Sequence, residues 1–144
     1  MKNLAPYLMF NGDCEEAMNF YKNCFGGEIG YMGRYGDSPM NVPESQKNKI
    51  MHVEFKFQGG SLMASDHVEG VGFTTGSKGA NIHLSLGFDT VTEMEEAFNK
   101  LKEGGKVTMA LNDTFWGDRF GMLEDKFGFN WMFSCAPEKK EKKK

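Results

Sequence analysis

The sequence predicts an α+β fold made of two tandem βαβββ modules. Each half of the chain repeats the order strand, helix, Gly-Gly and strands, and in each half the apolar residues change from a period of two to a helical period. The helix segments EEAMNFYK at 15–22 and EEAFNKLK at 95–102 are offset by 80 residues, and the glycine pairs that follow them by 78. One such module cannot bury its sheet alone, so the repeat predicts that each module needs the other to bury its sheet.

In the first module, an apolar run at 4–10 that ends at Asn-Gly predicts a strand. Asp13 and Glu16 have the spacing of a capping box, which predicts that the Asp13 side chain caps the following helix. Gly26-Gly27 end that helix. Its apolar stripe consists of Cys14, Ala17, Met18, Tyr21, Cys24 and Phe25.

Strands at 28–35, 50–57 and 61–66 complete the first module. The loop at 36–49 is polar and broken by prolines, so it is predicted not to pack. The glycine-rich stretch at 67–79 is predicted to be a flexible connector.

The second module follows the same order. Its helix is predicted to begin at a second capping box, formed by Thr92 and Glu95, and to end before Gly104-Gly105. Its strands are predicted at 81–88, 106–112, 119–124 and 129–135, with the last two joined in a hairpin by a turn at 125–128.

The predicted organisation is one domain at 1–137 with a tail. Module one spans about 1–66, the connector 67–79 and module two 80–137. The Lys-rich tail at 138–144 is expected to be solvated and disordered.

The composition excludes several kinds of partner. With 40% hydrophobic and 26% charged residues, it is that of an ordinary soluble globular protein. Without the five Lys and two Glu of the tail, 12 basic and 18 acidic residues remain, which disfavours a nucleic-acid groove. No stretch approaches the roughly 20 apolar residues that span a bilayer, so no membrane partner is expected.

The cysteines indicate the compartment. Cys14, Cys24 and Cys135 cannot all pair and have no C-x-x-C spacing, so free thiols in a reducing compartment are expected. The N-terminal apolar run is too short for a signal peptide. The sequence therefore predicts a cytoplasmic protein.

Five motifs carry a resemblance to a known family. They are PYLMFNG at 6–12, MHVE at 51–54, LMASD at 62–66, FWGDRFG at 115–121 and DKFGFNW at 125–131. Together with the repeat, they resemble the vicinal oxygen chelate superfamily, which includes glyoxalase I, extradiol dioxygenases and bleomycin-resistance proteins. The similarity is greatest to its PhnB-like branch, and FWGDRFG is the most specific of the motifs.

The resemblance implies a cupped mixed sheet with the helices outside and a ligand cavity inside, and it implies a homodimer. Many members hold a divalent metal through one ligand from each of four strands. Carried onto this chain, those positions fall on Pro6, Met63, Asn81 and Met132. Proline and methionine offer no hard donor, and asparagine is a poor one for Zn²⁺ or Fe²⁺. The usual metal site is therefore predicted to be absent, and no cofactor is expected.

The alternation of side chains between the two faces of a strand predicts further site residues. His52 and Glu54 are expected on the cavity side of their strand. Asn81 and His83 are expected on the cavity side of theirs, with Ile82 packed under a helix. The two histidines and the carboxylate could hold a non-standard divalent metal or act as an acid–base pair. They could equally be hydrogen-bonded wall residues or lie near a dimer contact.

The last hairpin and a strand end supply the remaining candidates. Trp116 is expected to face the ligand, and Met132 occupies one of the implied ligand positions. Arg119 with Asp118 could clamp an anionic ligand, because guanidinium binds carboxylate or phosphate in bidentate fashion. The alternative is an ion pair that pins the hairpin to its neighbour. Asp66 is interpreted as a turn residue with an Asx-type hydrogen bond.

Three functions follow as hypotheses. The first is a glyoxalase-like protein that binds a small apolar or aromatic molecule of unknown identity without the usual metal. The second is a metal-dependent lyase, isomerase or dioxygenase with an atypical site at His52, Glu54 and His83. The third is a dimeric scaffold for protein interactions. Whether any reaction is catalysed stays open.

Overall fold

The chain divides into two compact units, at 1–77 and 78–144, and the boundary lies inside the predicted connector. Most of that connector, at 69–79, and the Lys-rich tail at 138–144 lie outside the residues that the structure describes. The computed structural model describes residues 5–68, 82–114 and 117–136.

Unit 1 has one helix and four strands in βαβββ order. The sheet order is β1-β4-β3-β2, in which β1 is parallel to β4 and the other neighbours are antiparallel. The elements are β1 (Tyr7–Phe10), α1 (Cys14–Phe25), β2 (Glu28–Arg34), β3 (Ile50–Phe57) and β4 (Gly60–Asp66).

Unit 2 repeats this topology. Its sheet order is β5-β8-β7-β6, and β5 is parallel to β8. The predicted α+β fold of two tandem βαβββ modules is therefore confirmed. The elements are β5 (Leu84–Phe88), α2 (Val91–Leu101), β6 (Lys106–Asp113), β7 (Arg119–Glu124) and β8 (Asn130–Cys135).

Each helix packs on one face of its own sheet. In unit 1, Tyr21 of α1 is fully buried, as are Phe10 and Phe55 of the sheet. In unit 2, Trp131 and Phe133 of β8 are buried beneath α2. Burial of one such side chain contributes about 1.5–3 kcal/mol, so these apolar faces hold each helix to its sheet.

The repeated Gly-Gly pairs have a steric cause. Gly26 and Gly104 follow the two helices with φ of 76° and 75°, in the left-handed region that favours glycine. A Cβ on Gly27 would overlap the backbone carbonyl oxygen of Lys56, and a Cβ on Gly105 would overlap that of Glu124. The second glycine of each pair therefore lets the chain enter the next strand against its neighbour.

The two helices begin differently, and both predicted capping boxes are wrong in detail. The Asp13 side chain makes no capping hydrogen bond. Instead, Oδ1 of Asp66 in β4 accepts from the backbone N–H of Cys14 at 2.9 Å. In unit 2, the hydroxyl of Thr90 accepts from the N–H of Glu93, so the helix begins two residues before the predicted box at Thr92. The sequence contains two overlapping boxes, and β5 ends close enough to Thr90 for the first to be used.

Two packing predictions are also wrong. The loop at 36–49 does pack, because Val42 is buried in a cluster with Tyr35 and Val68. Two 3₁₀ turns, Tyr35–Asp37 and Glu44–Gln46, shape this part of the chain. Ile82 is 72% exposed and not buried under a helix, because the strand begins only at Leu84.

Within the described residues, no helix is both long and apolar enough to cross a membrane.

Candidate functional site

The face of each sheet that points away from its helix, here termed the helix-free face, carries the candidate site. In unit 1, Phe57 of β3 packs on Phe25 of α1 with ring centroids 5.6 Å apart. Side chains alternate along a strand, so His52 and Glu54 lie on the helix-free face, as parity predicted. Both are half-buried.

Tyr7, His52 and Glu54 form a chain of hydrogen bonds on this face. The Tyr7 hydroxyl lies 2.9 Å from Nδ1 of His52, and Nε2 of His52 lies 3.3 Å from Oε2 of Glu54. A carboxylate only accepts, so Nε2 donates to Glu54, and in the neutral ring Nδ1 then accepts from the Tyr7 hydroxyl. This order of hydroxyl, imidazole and carboxylate lets a proton pass from the hydroxyl to the ring while the carboxylate balances its charge.

The Tyr7 hydroxyl is a donor at neutral pH. Burial raises the pKa of Tyr7, and a hydrogen bond with Ser65 partly offsets that rise. The phenol therefore keeps its proton in the folded protein below alkaline pH.

Two tyrosine rings flank His52. The ring centroid of Tyr7 lies 5.6 Å from that of His52, and the centroid of Tyr31 lies 6.1 Å away on β2. Tyr31 is 55% exposed, so a ligand can reach its ring. The ring folds over Gly33, where an added Cβ would collide with it. Glycine at position 33 therefore makes room for the exposed tyrosine.

The helix-free face of unit 2 carries a row of methionines. Phe133 of β8 packs on Phe98 of α2 with ring centroids 5.1 Å apart, so the adjacent Met132 points to the other face. Met132 lies opposite Met122 of β7, and Met122 lies opposite Met109 of β6. Cross-strand partners share a face, so Met109, Met122 and Met132 form a methionine row.

Arg119 is held by two carboxylates. Its guanidinium lies 3.2 Å from Asp113 of β6 and 3.6 Å from Glu95 of α2. Contact with α2 places this side chain on the helix side of the sheet. The geometry agrees with a residue that pins the hairpin to its neighbours, although its partners are Asp113 and Glu95 and not Asp118.

The other predicted site residues are placed as follows. Asn81 and Trp116 lie outside the described residues, so their roles stay predictions. His83 is half-buried just before β5, in unit 2, whereas its proposed partners His52 and Glu54 belong to unit 1.

The implied metal positions do not fit a hard cation. Pro6 and Met63 stand at the two described positions of unit 1, and Met132 stands at that of unit 2. None offers the nitrogen or oxygen donor that Zn²⁺ or Fe²⁺ needs. In the described part of the chain, no cluster of three or more His, Cys, Asp or Glu side chains is arranged to hold a metal ion. A metal on His52 would also compete with Tyr7 and Glu54 for its ring nitrogens.

Two buried carboxylates serve the fold. The interpretation of Asp66 as a local Asx turn is wrong. Its carboxylate accepts backbone N–H groups from distant parts of the chain: Gly12 at 2.8 Å, Ile50 at 2.9 Å and Cys14. Asp125 accepts from the indole N–H of Trp131 at 2.8 Å and from two backbone amides of its own turn.

The three thiols are buried and form no disulfide. Burial and the neighbouring Asp66 raise the pKa of the Cys14 thiol, which keeps it protonated and unreactive.

A cavity of about 430 Å³ lies elsewhere in unit 1. It contains none of the predicted site residues. Its lining is mostly polar and consists of Asn11, Pro43, Gln46, Lys49, His67 and Val68.

Comparison with known proteins identifies the family. A family model described as 3-demethylubiquinone-9 3-methyltransferase matches residues 2–134. Protein YjdN of Escherichia coli is 31% identical, and the match covers 94% of this chain and 96% of YjdN.

Solved structures agree. Protein PA1353 from Pseudomonas aeruginosa is 41% identical with a TM-score of 0.83, over 96% of this chain and all of that one. The PhnB protein from Bacillus cereus is 30% identical with a TM-score of 0.76, over 94% of this chain and 100% of that one. A glyoxylase/bleomycin resistance protein/dioxygenase domain from Frankia shares the fold, at 17% identity and a TM-score of 0.65, over 94% and 98% of the two chains. The chain belongs to the PhnB-like family that the family model describes, and it has the fold of the vicinal oxygen chelate superfamily.

The family label does not settle the chemistry of this PhnB-like chain. Family and fold support a glyoxalase-like small-molecule-binding protein. The links from β1 to α1 and from β5 to α2 are NGD at 11–13 and DT at 89–90, and neither is a glycine-rich loop of the kind that binds a nucleotide.

Sequence reasoning missed Tyr7, Tyr31 and two members of the methionine row. Parity could have found Tyr7, because Leu8 and Phe10 alternate with it and are buried. The register that brings Met109 opposite Met122 follows a β-bulge, and an alternation pattern does not reveal it.

Proposed function

We propose that this PhnB-like protein binds a small apolar or aromatic molecule on its helix-free faces, without a divalent metal at the superfamily's usual position. The methionine row carries the proposal. Methionine is unbranched and polarizable, so three of them side by side form an adaptable apolar surface. Phe120, two residues before Met122 on β7, lies on the same face and extends that surface.

The donor chemistry supports the metal-free part of the proposal. Met63 and Met132 occupy implied ligand positions, and thioethers are poor ligands for the hard or borderline cations of this superfamily. The proposal includes a cytoplasmic location, where three buried thiols would stay reduced, and a homodimer, which the family resemblance implies.

Metal content and probe binding test the proposal together. Protein without a His-tag is analysed for Zn, Mn, Ni and Fe, and its binding of 1-anilinonaphthalene-8-sulfonate is followed by fluorescence with and without a chelator. We expect the metal content to be below one ion per chain. We also expect the probe to bind equally well with and without the chelator. A stoichiometric metal that is lost in His52→Ala or His83→Ala, together with binding that needs it, would overturn the metal-free proposal in favour of an atypical metal site.

A substitution in the row tests its location. Met132→Glu places a carboxylate next to Met122, and desolvation of that charge is expected to weaken probe binding by roughly ten-fold or more. Met40→Glu is the matched control, because Met40 is 45% exposed and lies outside the row. Equal affinities for the two variants would show that the probe binds elsewhere.

A further inference from the structure

We infer that Tyr7, His52 and Glu54 form a metal-independent proton-accepting site for a planar ligand with a weakly acidic hydroxyl, such as a phenol or an enol. The inference rests on the proposed small-molecule binding and names the ligand class that the helix-free face of unit 1 would take. It assigns a chemical role to Tyr7, which follows the implied metal position at Pro6.

The hydrogen-bond chain supplies the path for the proton. A ligand hydroxyl gives its proton to the oxygen of Tyr7 while Tyr7 passes its own proton across 2.9 Å to Nδ1 of His52. The O–H bond of the ligand breaks, its electron pair stays on the ligand oxygen, and a new N–H bond forms on the imidazole. The ligand becomes an oxyanion that accepts a hydrogen bond from the reprotonated Tyr7. One proton moves in total, and no oxidant, reductant or metal is required.

Glu54 stabilises the charge that this step creates. Its Oε2 lies 3.3 Å from Nε2 of His52 and accepts a hydrogen bond from that ring nitrogen. Among the described residues, the titratable groups in contact with His52 are Tyr7 from β1, Tyr31 from β2 and Glu54 on β3 itself. Lys56 lies further along the same face of β3 and is exposed. The site therefore gathers one imidazole and one nearby carboxylate around the phenol.

The aromatic rings select a planar ligand. Tyr7 and Tyr31 flank His52 with interplanar angles of 28° and 37°. Tyr31 is 55% exposed and offers a ring face on which a flat conjugated molecule can stack. The side chains of His52 and Glu54 are 29% and 45% exposed, so the ligand hydroxyl can approach the relay.

A chromogenic phenol tests proton uptake directly. 4-Nitrophenol is titrated with pH in the presence and absence of the protein, and its phenolate absorbance is recorded. The bound phenol is expected to ionise roughly 1 unit lower than the free phenol, the shift that an opposite charge within about 4–6 Å produces. A nitrophenol that binds with an unshifted pKa would overturn the inference.

Variants separate the relay from the stacking surface. His52→Gln keeps an amide at the position but cannot hold the proton, so the shift is expected to vanish while stacking persists. Gly33→Ala displaces the Tyr31 ring and leaves the relay intact. It is therefore expected to weaken nitrophenol binding, while the nitrophenol that still binds keeps its lowered pKa. His67→Gln is the matched control outside the face and is expected to match the unaltered protein. A shift that persists in His52→Gln would refute the relay.

A second measurement keeps the inference testable if His52→Gln fails to fold. Ring-nitrogen NMR of the unaltered protein is expected to show His52 becoming protonated when the phenol binds. Failure of this inference is also distinguishable from failure of the proposed function. If anilinonaphthalenesulfonate binds but nitrophenol shows no shift, only the relay is wrong. If neither probe binds, the small-molecule proposal itself is wrong.

Discussion

In unit 1, Met63 on β4 lies opposite Glu54 on β3. At the equivalent place in unit 2, Met132 on β8 lies opposite Met122 on β7, and Met109 extends the row onto β6. Two sheets of the same strand order thus present a hydrogen-bonded polar chain on one helix-free face and a methionine row on the other.

The helix-facing sides of the two sheets are much more alike. Both bury large apolar side chains, Phe55 in unit 1 and Trp131 and Phe133 in unit 2. Close packing against a helix imposes the same demand on both units. The helix-free faces are not packed against a helix, so their side chains are free to differ between the two units.

The first turns of the two helices also differ between the units, and a substitution at Asp66 is predicted to have the largest effect on stability. Asp66 accepts three backbone N–H groups and is 1% exposed, so Asp66→Ala would leave those donors without their acceptor. The free energy of unfolding is expected to fall by about 4 kcal/mol, as measured by urea denaturation.

Thr90→Ala is the matched change in unit 2. Thr90 accepts a single N–H at 3.1 Å in an exposed cap, so the free energy of unfolding is expected to fall by only about 1 kcal/mol in the same measurement. Similar losses of unfolding free energy for the two variants would mean that Asp66 does not link β4 to α1 and β3 as its hydrogen bonds indicate.

A reciprocal exchange tests the two faces. Met122→Glu inserts a carboxylate between Met109 and Met132, and the loss of unfolding free energy is expected to be about 1–2 kcal/mol, because the position is half-buried. Glu54→Met in unit 1 removes a partly exposed charge and is expected to change stability by less than about 0.5 kcal/mol. The order of the two effects is the prediction, and its reversal in denaturant titrations would contradict the contrast between a hydrogen-bonded polar chain in unit 1 and a methionine row in unit 2.

The sequence revealed the topology because its signals are local. Helical stripes, strand alternation and the Gly-Gly pairs each lie within a dozen residues, and they recur in both halves. Asp66 escaped correct interpretation because its partners are 16, 52 and 54 residues away. Tyr7 and His52 are 45 residues apart, so their contact depends on the order β1-β4-β3, which no local pattern specifies.

The helix-to-sheet ion pairs give a smaller contrast. Arg119 in unit 2 contacts both Asp113 and Glu95, and its side chain is 29% exposed. Arg119→Ala is expected to lower the free energy of unfolding by about 1 kcal/mol, because two weak pairs are lost from a partly exposed place. Arg119→Lys is the control and should recover part of that loss. A variant of unchanged stability with abolished ligand binding would instead make Arg119 a binding residue.

The smallest effect concerns Glu15, which the repeat aligns with Glu95. Both oxygens of Glu15 accept from Arg34 at 3.0 Å, and this bidentate pair lowers the pKa of the Glu15 carboxyl. A lowered pKa stabilises the fold above the unfolded value of about 4.3, and that stabilisation is lost as pH falls through the lower folded value. Because the side chain is 47% exposed, Glu15→Gln is expected to cost about 0.5 kcal/mol at neutral pH. In the same denaturation experiment below the folded pKa, the variant and the unaltered protein should have equal stability. A difference that is the same at both pH values would show that the Glu15 charge contributes nothing and that the loss comes from packing alone.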